Sequence, residues 1–450
     1  MTPERDTIFA LSSGRPPAAI AVIRMSGPRA SHALQKLIGR LPRPRRATLA
    51  RVRNPAGGEI IDEALALWFP APGSETGEDV AELQVHGGRA VIAATLRALG
   101  GIAGLRPAEA GEFTRRAFAN GRMDLTAVEG LADLVAAETD AQRRQAFQHL
   151  KGMLGERAQT WRTRLIEALA LVEAGIDFPD EDDVPQEAMA RALDLVRPLS
   201  DEIARACAGT GERLREGLRV AIAGPPNAGK STLFNRLARR EAAIVSPFPG
   251  TTRDVLELHL DLGGYPVTVL DTAGIRETDD PVEREGVRRA TEQAAAASLV
   301  LWVVDAAAAG DACTEPAPLA PGTQLWRIEN KIDLLADGQR AFTQEMKRED
   351  IHFVSSTTGQ GIDLLLGAIG RFCEEFFSPE PALVTRARQR AHLEETAAAL
   401  RGASDAAAEG REEIVAEQLR LAARSLGKLL GRVDVEDVLD VIFRDFCIGK

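Results

Sequence analysis

Residues 224–231 read Gly-Pro-Pro-Asn-Ala-Gly-Lys-Ser and are the most informative residues for the structure of the middle of the chain. It fits G-x-x-x-x-G-K-[ST] and follows an apolar run at Leu218–Ala223, with a helical pattern after it. Backbone N–H groups of such a loop, together with the helix N-terminus, present positive potential to phosphates. We expect Lys230 to reach the β- and γ-phosphates and Ser231 to ligate Mg²⁺. The stretch therefore predicts a nucleotide-binding loop.

Strand and helix patterns alternate around this loop. Leucines at every second position of residues 256–262 predict a strand with one wet face. A closing helix is predicted over residues 361–377. The remaining predicted strands are residues 218–223, 267–270, 299–304, 325–328 and 351–354. The alternation indicates a doubly wound α/β domain over residues 217–377.

The chain on either side of this domain has a different character. Residues 1–120 combine short β-like runs with Gly/Pro turns and one helical stretch after Gly88, which predicts a small α+β domain. Residues 121–216 and 378–450 place apolar residues at helical spacing. The simplest account is one helical domain interrupted by the inserted α/β domain, although two separate helical domains would give the same pattern. We therefore predict a multidomain α+β and α/β protein.

Composition excludes several classes of protein. At 450 residues the chain is long enough for about three domains, and 45% apolar with 27% charged residues excludes wholesale disorder. No apolar run approaches the roughly 20 residues of a membrane span, and no secretory pattern is found. The cysteines lie far apart, so we expect no disulfide scaffold, no cysteine zinc site and a cytoplasmic location. They are Cys207, Cys313, Cys373 and Cys447.

Charge is distributed unevenly on a chain whose net charge is −11. No acidic residue occurs from Thr7 to Gly58, where ten cations do. Either a local basic face or a solvated arginine-rich loop around Pro42 and Pro44 explains this segment. The acidic run at residues 177–183 fits a cation site or, more simply, a solvated loop. The ten cations are Arg15, Arg24, Arg29, Lys36, Arg40, Arg43, Arg45, Arg46, Arg51 and Arg53.

Four further motifs follow the phosphate loop in order. Residues 250–254 (Gly-Thr-Thr-Arg-Asp) supply hydroxyls to a switch loop, and residues 271–274 (Asp-Thr-Ala-Gly) place a carboxylate near Mg²⁺. In residues 330–333 (Asn-Lys-Ile-Asp), Asp333 matches the N1–H and 2-amino donors of guanine, whereas adenine would leave the charge unpaired. Residues 355–357 (Ser-Ser-Thr) end the next strand, where a loop can touch the base.

These five elements resemble the Ras-like GTPases over residues 218–377. Many such enzymes follow Asp-x-x-Gly with a glutamine that orients the attacking water, but this chain has Ile275 there. Hydrolysis must then recruit another polar group or be very slow. The predicted GTP-binding residues are Asn227, Ala228, Gly229, Lys230, Ser231, Thr232, Ser246, Pro247, Phe248, Pro249, Gly250, Thr251, Thr252, Asp271, Thr272, Ala273, Gly274, Asn330, Lys331, Asp333, Ser355, Ser356 and Thr357.

The ends of the chain carry motifs of their own. They include Ile-Ala-Val-Ile-Arg at 20–24, Thr-Gly-Glu-Asp at 76–79, His-Gly-Gly at 86–88, Gly-Glu-Phe-Thr at 111–114 and Cys-Ile-Gly-Lys at 447–450. Together with the GTPase motifs they resemble the MnmE family (also called TrmE) of tRNA modification GTPases over nearly the whole chain. The competing hypotheses are a GTP switch for ribosome assembly, which leaves the N-terminal domain and Cys447 unexplained, and a folate-binding scaffold with vestigial hydrolysis.

The resemblance implies a function that composition does not reach. Such proteins act with a flavin-dependent partner, MnmG, in a hetero-oligomer that builds an aminomethyl-type group, such as carboxymethylaminomethyl, on C5 of the wobble uridine of certain tRNAs. The one-carbon unit comes from a tetrahydrofolate derivative bound by the N-terminal domain. That domain also forms the constitutive homodimer.

The resemblance also implies folate-binding residues, namely Arg24, Glu82, Arg122 and Lys450. Glu82 can accept hydrogen bonds from the pterin, and the positive charges of the other three residues suit the glutamate carboxylates of folate. The family often has Lys at the position of Arg122, which keeps the charge and changes the geometry. Alternatively, Arg24 is a surface cation and Glu82 faces solvent. Cys447 is either a small buried hydrophobe or a thiol with a role in modification.

For the GTPase, the resemblance implies K⁺ and Mg²⁺. Mg²⁺ would be held by Ser231 and Thr252. K⁺ would neutralise charge developing on the phosphates when two GTPase domains pair, although Asn227 also suits a simple turn. The family often has Thr or Asp at the position of Ser246. The K⁺ ligands implied are Asn227, Ser246, Phe248 and Thr251.

Glu283 matches the family's catalytic glutamate, which positions the attacking water indirectly. A structural role competes with this one, because Asp280, Pro281 and Glu283 also form a good helix start with a capping acid. Since Ile275 cannot orient water, we favour the catalytic role.

Overall fold

The computed structural model describes most of the chain. The described residues are 6–177, 184–208, 211–240, 242–244, 257–271, 297–307, 319–335, 350–377, 382–433, 442 and 449. They group into two compact units, one formed by residues 1–132, 149–201 and 395–450 and the other by residues 133–148 and 202–394. Each unit contains one six-stranded sheet.

The sheet of the first unit is mixed, in the order β3-β4-β5-β2-β1-β6. Its strands pair antiparallel, except that β1 and β6 run parallel. The strands are β1 (Thr7–Leu11), β2 (Ile20–Ser26), β3 (Thr48–Arg53), β4 (Ile60–Phe69), β5 (Val80–His86) and β6 (Leu105–Pro107). The α+β domain predicted for the N-terminal region is confirmed.

Two helices, α1 (Ala30–Ile38) and α2 (Arg89–Gly100), cover one face of this sheet. Alternation along each strand directs apolar side chains to that face, where Ile23, Leu83 and Leu99 are fully buried. A third helix, α3 (Glu112–Ala119), packs Phe113 against β1. On the opposite, outward face, Leu49 of β3 and Leu65 of β4 are exposed. The predicted Arg24 and Glu82 also lie on this outward face, where both are only partly exposed.

The helical segments predicted after residue 120 are present. The unit boundaries fall inside several of these helices, so that α4, α5, α7 and α11 belong partly to each unit. In the first unit α6 packs along α12, and Arg420 forms an ion pair with Glu173 at 3.0 Å. No helix among the described residues is long and apolar enough to cross a membrane. These helices are α4 (Leu125–Ala136), α5 (Asp140–Leu150), α6 (Met153–Asp177), α7 (Val184–Cys207), α11 (Ala387–Ala408) and α12 (Glu412–Leu429).

The sheet of the second unit runs β12-β11-β10-β7-β9-β8. All neighbours are parallel except the edge strand β8, which pairs antiparallel with β9. The elements are α8 (Gly211–Glu216), β7 (Leu218–Ala223), α9 (Lys230–Ala238), β8 (Glu257–Leu262), β9 (Tyr265–Asp271), β10 (Leu299–Asp305), β11 (Gln324–Asn330), β12 (Ile351–Phe353) and α10 (Ile362–Phe376).

The predicted α/β domain is therefore confirmed, with its six strands at the predicted places. In β8 the leucines at 258, 260 and 262 are buried and the residues between them are not, as the alternation predicted. The central strands are buried on both faces, which their continuous apolar runs indicate. In such sheets ligands bind beyond the carboxyl ends of the strands. The phosphate loop lies at that edge, directly after β7.

Candidate functional site

The phosphate loop is held in a conformation that side chains rarely adopt. Gly224 has φ +140°, and a Cβ there would lie 2.2 Å from the carbonyl oxygen of Val303 in β10. Gly229 has φ +94°, and Asn227 is left-handed with φ +62°. Glycine and asparagine are the residues that tolerate positive φ. The loop thus packs tightly against β10 and turns its backbone toward the start of α9.

Lys230 folds back over the loop. Its Nζ donates to the carbonyl oxygens of Gly224 and Pro225, both at 2.9 Å. Partial burial lowers the pKa of Lys230, and the nearby carboxylate of Asp271 acts in the opposite direction. Ser231 is exposed at the first turn of α9. The ammonium group therefore lies within the loop where a phosphate chain is expected, with a hydroxyl beside it.

Asn330 ties three loops together at the end of β11. Its Nδ2 donates to the carbonyl oxygen of Ala228 at 2.8 Å, and its Oδ1 accepts from the amide and the hydroxyl of Ser356 at 3.0 and 2.9 Å. The residue is almost fully buried. Buried amides need such complete pairing, because an unsatisfied group costs about 1–3 kcal/mol. Asn330 thus fixes the phosphate loop relative to the loop that follows β12.

The residues after Asn330 are positioned by β10. Lys331 is left-handed, with φ +65°, and its Nζ donates to Asp305 Oδ2 at 2.7 Å. Burial opposes ionisation of Asp305, but hydrogen bonds from Lys331 and the Ala307 amide hold its pKa below the ordinary value. Asp333 is half-buried in the short 3-10 turn Ile332–Leu334. The base-recognition motif is therefore anchored to two strands.

The predicted loop 355–357 is closed by a cation from α9. Arg236 Nε donates to the Ser356 carbonyl oxygen at 2.8 Å, and Arg236 Nη2 donates to that of Thr357. Ser355 is fully buried, and its hydroxyl accepts from the Thr358 amide at 3.1 Å. The loop is thereby fixed to the helix that begins at the phosphate loop.

Several predicted site residues lie outside the described residues. Within the described part of the chain no cluster of three His, Cys, Asp or Glu side chains is suited to a metal ion. The predicted residues outside the description are Ser246, Pro247, Phe248, Pro249, Gly250, Thr251, Thr252, Thr272, Ala273, Gly274, Glu283, Cys447 and Lys450, together with Ile275.

A second group of predicted residues meets on the outward face of the N-terminal sheet. Arg24 and Glu82 are register partners on β2 and β5, and Arg24 Nε donates to Glu82 Oε1 at 2.8 Å. Arg24 also pairs with Glu75 at 2.6 Å and lies 5.9 Å from the ring centroid of Phe113. Neither predicted residue is a freely solvated charge, since their side chains are 18% and 16% exposed.

The loop 74–79 lies between this pair and Arg122. A Cβ on Gly77, which has φ +79°, would approach the Arg122 side chain to 3.3 Å. The loop is anchored by Thr76, whose hydroxyl pairs with Ser26 at 2.7 Å and whose carbonyl oxygen accepts from Asn120 at 2.8 Å. Arg24, Glu82 and Arg122 are thus grouped around one loop.

A buried network of ion pairs supports the loop 74–79. Glu78 accepts from Ser26 at 2.8 Å and from Arg116 at 3.1 Å. Arg116 also donates to Glu112 at 3.0 Å, and Arg106 does so at 2.7 Å. Burial would raise the pKa of Glu112, but hydrogen bonds from Arg106, the Glu109 amide and Arg116 lower it to about 2. The loop is therefore connected through Arg116 to a carboxylate that stays ionised.

Gly449 lies against the same sheet. Gly449, with φ +99°, is buried where a Cβ would lie 2.1 Å from the carbonyl oxygen of Leu11. Leu11 is the register partner of Ile23, the neighbour of Arg24. The residue before the predicted Lys450 therefore lies one strand away from Arg24, although Lys450 itself is outside the described residues.

Sequence reasoning assigned no site role to four contributors, although one of them, Phe113, lies in the motif at 111–114. Glu75 and Phe113 contact Arg24, Arg116 supports Glu78, and Asp305 holds Lys331. Asp305 had a sequence signal, because a carboxylate directly after a buried apolar run ends a strand at the ligand-binding edge. The others required strand register, which spacing does not reveal.

Comparison with known proteins covers the whole chain. Residues 7–122 match the family model described as the GTP-binding protein TrmE N-terminus, and residues 125–447 match that of the MnmE helical domain. Proteins described as tRNA modification GTPase MnmE are 56% and 57% identical in two Bradyrhizobium strains, BTAi1 and ORS 278. One from Rhodopseudomonas palustris is 56% identical. Each alignment spans 100% of both chains. The chain belongs to the MnmE family of tRNA modification GTPases.

Proposed function

We propose that the chain couples GTP hydrolysis to a folate-dependent modification of C5 of the tRNA wobble uridine. In this proposal the one-carbon unit of an aminomethyl-type group such as carboxymethylaminomethyl arrives on a tetrahydrofolate derivative. The chain works as a homodimer with the flavin-dependent protein MnmG, in the cytoplasm. The observation that carries the proposal is the grouping of Arg24, Glu82 and Arg122 on a domain separate in sequence from a GTP site.

The GTP half of the proposal rests on the junction around Asn330. Phosphates would meet the backbone of residues 227–232 and the ammonium of Lys230, which is already within 2.9 Å of two loop carbonyls. A phosphate chain is a better partner for that ammonium than neutral carbonyls are. Asp333 would accept from guanine, and Ser231 with Thr252 would hold Mg²⁺. When bound, Mg²⁺ offsets charge on the phosphates.

The folate half rests on charge and shape at the outward face of the sheet. The Arg24–Glu82 pair presents a donor and an acceptor side by side, which is what a pterin edge with amide and amino groups needs. Arg122 lies across the loop 74–79, and Gly449, which precedes Lys450 in the sequence, lies against Leu11 of β1. These cations would face the carboxylates of folate. When bound, the tetrahydrofolate supplies the one-carbon unit, and these side chains orient it.

Activation of hydrolysis by K⁺ is the part of the proposal carried by the family resemblance. Asn227 is exposed and left-handed at the middle of the phosphate loop, so its side chain is available to a cation. The remaining K⁺ ligands, Ser246, Phe248 and Thr251, and the catalytic Glu283 lie outside the described residues. Pairing of two GTPase domains would close the ion site.

The proposal is tested by mass spectrometry of wobble uridines in tRNA from a strain lacking this chain. Loss of the C5 substituent is expected, and restoration by the wild-type gene is the control. Complementation with Arg24→Ala should leave the substituent absent while GTP hydrolysis by the purified variant persists. A full C5 substituent in the deletion strain would contradict the proposal and favour a role such as ribosome assembly.

A further inference from the structure

A basic turn at the edge of the N-terminal sheet has no role in the function proposed above. It connects α1 to the edge strand β3, and we call Arg40, Arg43, Arg45 and Arg46 together the arginine turn. All four side chains are exposed. The turn belongs to the stretch from Thr7 to Gly58 that contains no acidic residue.

The backbone of the arginine turn is fixed rather than loose. The Arg46 amide donates to the Arg43 carbonyl oxygen at 3.2 Å, and the Arg45 amide donates to that of Trp68 in β4 at 2.8 Å. The Arg45 guanidinium lies 5.7 Å from the ring centroid of Phe69 and donates to the Gly73 carbonyl oxygen. Arg45 therefore serves as the anchor, and its neighbours project from a rigid support.

None of the four guanidinium groups is neutralised by an acidic side chain: within the residues that the structure describes, Arg40, Arg43, Arg45 and Arg46 form no ion pair. Two other exposed arginines do, since Arg51 pairs with Glu63 at 2.8 Å and Arg424 with Glu417 at 3.1 Å. The chain has 66 acidic residues and a net charge of −11, so partners are not scarce. Like charges within seven residues repel one another. An external polyanion would relieve that repulsion.

We propose that the arginine turn binds the phosphodiester backbone of tRNA. This inference rests on the function proposed above, because tRNA is the polyanion on which the chain acts. Guanidinium groups suit phosphate oxygens by charge and by their planar donor geometry. A protein partner would be expected to meet a desolvated apolar centre with charges at its rim. The turn instead offers cations, with Leu41 as its exposed large apolar side chain. It therefore positions tRNA without reading bases.

The test compares tRNA binding by full-length variants at several KCl concentrations. Arg43→Ala with Arg46→Ala removes two charges and keeps the anchor Arg45. Since each lost phosphate contact reduces the slope of log K against log[salt] by about 0.7–0.9, the double variant should lose about 1.4–1.8. Its affinity for tRNA should fall about 10-fold or more. Arg43→Lys with Arg46→Lys should retain most of the slope, because charge dominates such contacts.

A matched control separates a local contact from net charge. Arg420→Ala with Arg424→Ala also removes two exposed cations, from α12, and should leave the slope unchanged. Equal losses in both double variants, or none in either, would overturn the proposal. If the arginine-turn variants bind tRNA normally but associate more weakly with a protein partner, the proposal would also be overturned. If the wild-type chain binds no tRNA, the tRNA role fails as well. If the wild-type chain binds tRNA and the arginine-turn variants bind it equally well, only the proposal for the arginine turn is overturned.

Discussion

Asn330 contacts the phosphate loop through Ala228 and the base-side loop through Ser356, so one amide sets the distance between two halves of the nucleotide site. Gly229 must be glycine for the same reason, since a Cβ there would lie 2.3 Å from Asn330 Nδ2. Lys331 depends in turn on Asp305. Individual residues of the candidate GTP site thus fix its loops relative to one another.

The first prediction concerns Asp333. Asp333→Asn should weaken GTP binding by about 1.5–3 kcal/mol, because an amide cannot accept from two adjacent donors. The affinity for xanthosine triphosphate should fall less, since in xanthine a carbonyl replaces the 2-amino group of guanine and can accept a hydrogen bond from the new amide. Titration with both nucleotides checks this. Unchanged GTP affinity would show that residues 330–333 do not contact the base.

A second prediction at this scale concerns pH and Glu112. Because the folded pKa of Glu112 is about 2, below its ordinary 4.5, its ionised form stabilises the fold at every pH above 4.5. That stability is lost as pH falls from 4.5 toward 2. Glu112→Gln should therefore lower stability by on the order of 2–3 kcal/mol at pH 7 and less at acid pH. Glu63→Gln, at an exposed ion pair, is the control.

Thermal melts of both variants from pH 7 to pH 3 decide the point. A Glu112→Gln deficit that does not shrink as the pH is lowered would mean that lost packing, not lost charge, explains it.

At the scale of the element, most strands of the GTPase domain could be predicted and several N-terminal ones could not. β7 is buried on both faces and precedes a glycine-rich loop, so its apolar run predicted both the start and the end of the strand. β1 is only five residues long, and β3 alternates with exposed arginines, so neither has a clear pattern. The Arg24–Glu82 pair needs the register of β2 with β5, which no local pattern encodes.

The third prediction concerns the turn from β7 into α9. Gly224→Ala should abolish GTP binding, because the new methyl group would overlap the Val303 carbonyl oxygen and push the loop away from β10. Gly263→Ala, at φ +65° with open space around it, is the matched control and should cost only about 1–3 kcal/mol of backbone strain. Nucleotide titration with circular dichroism checks both. Normal GTP affinity in the Gly224 variant would show that the loop relaxes freely.

At the scale of the whole molecule, the two candidate sites belong to different compact units. Arg24, Glu82 and Arg122 lie in the unit that contains residues 1–132, and the GTP residues lie in the unit that contains residues 202–394. The motifs predict a GTP site from their own chemistry, since each one indicates a phosphate, metal or base contact. The folate site stays a prediction that rests on resemblance, because a lone arginine and glutamate have many uses.

The fourth prediction separates these sites. Arg24→Ala with Lys450→Ala should weaken tetrahydrofolate binding by at least 10-fold while basal GTP hydrolysis stays near normal, since each variant residue lies far along the chain from the GTPase motifs. Equilibrium dialysis and phosphate release measure the two. Arg51→Ala, another exposed cation of the N-terminal sheet, is the control for charge. Parallel losses of both activities would indicate a folding defect.

The fifth prediction concerns GTP hydrolysis. K⁺ should accelerate turnover over Na⁺, and Glu283→Ala should lower kcat on the order of 10²-fold or more while the melting temperature changes little. Loss of a helix cap would instead cost about 0.5–2 kcal/mol of stability at nearly normal kcat. Steady-state kinetics in KCl and NaCl, with melts of the same variant, distinguish the roles. Early melting with normal hydrolysis would rule out catalysis by Glu283.

The hydrogen bond from the Ser356 amide to Asn330 allows opening of the Asn330 junction to be followed by hydrogen exchange. That amide proton exchanges with deuterated water only when the Asn330 junction opens, because its acceptor also holds the phosphate loop. Its protection factor therefore measures how often the two loops separate. GTP, which would contact both loops, should slow that exchange by a factor of about 1 + [GTP]/Kd. Deuterium uptake at the Ser356 amide thus measures nucleotide occupancy in the intact protein without an added label.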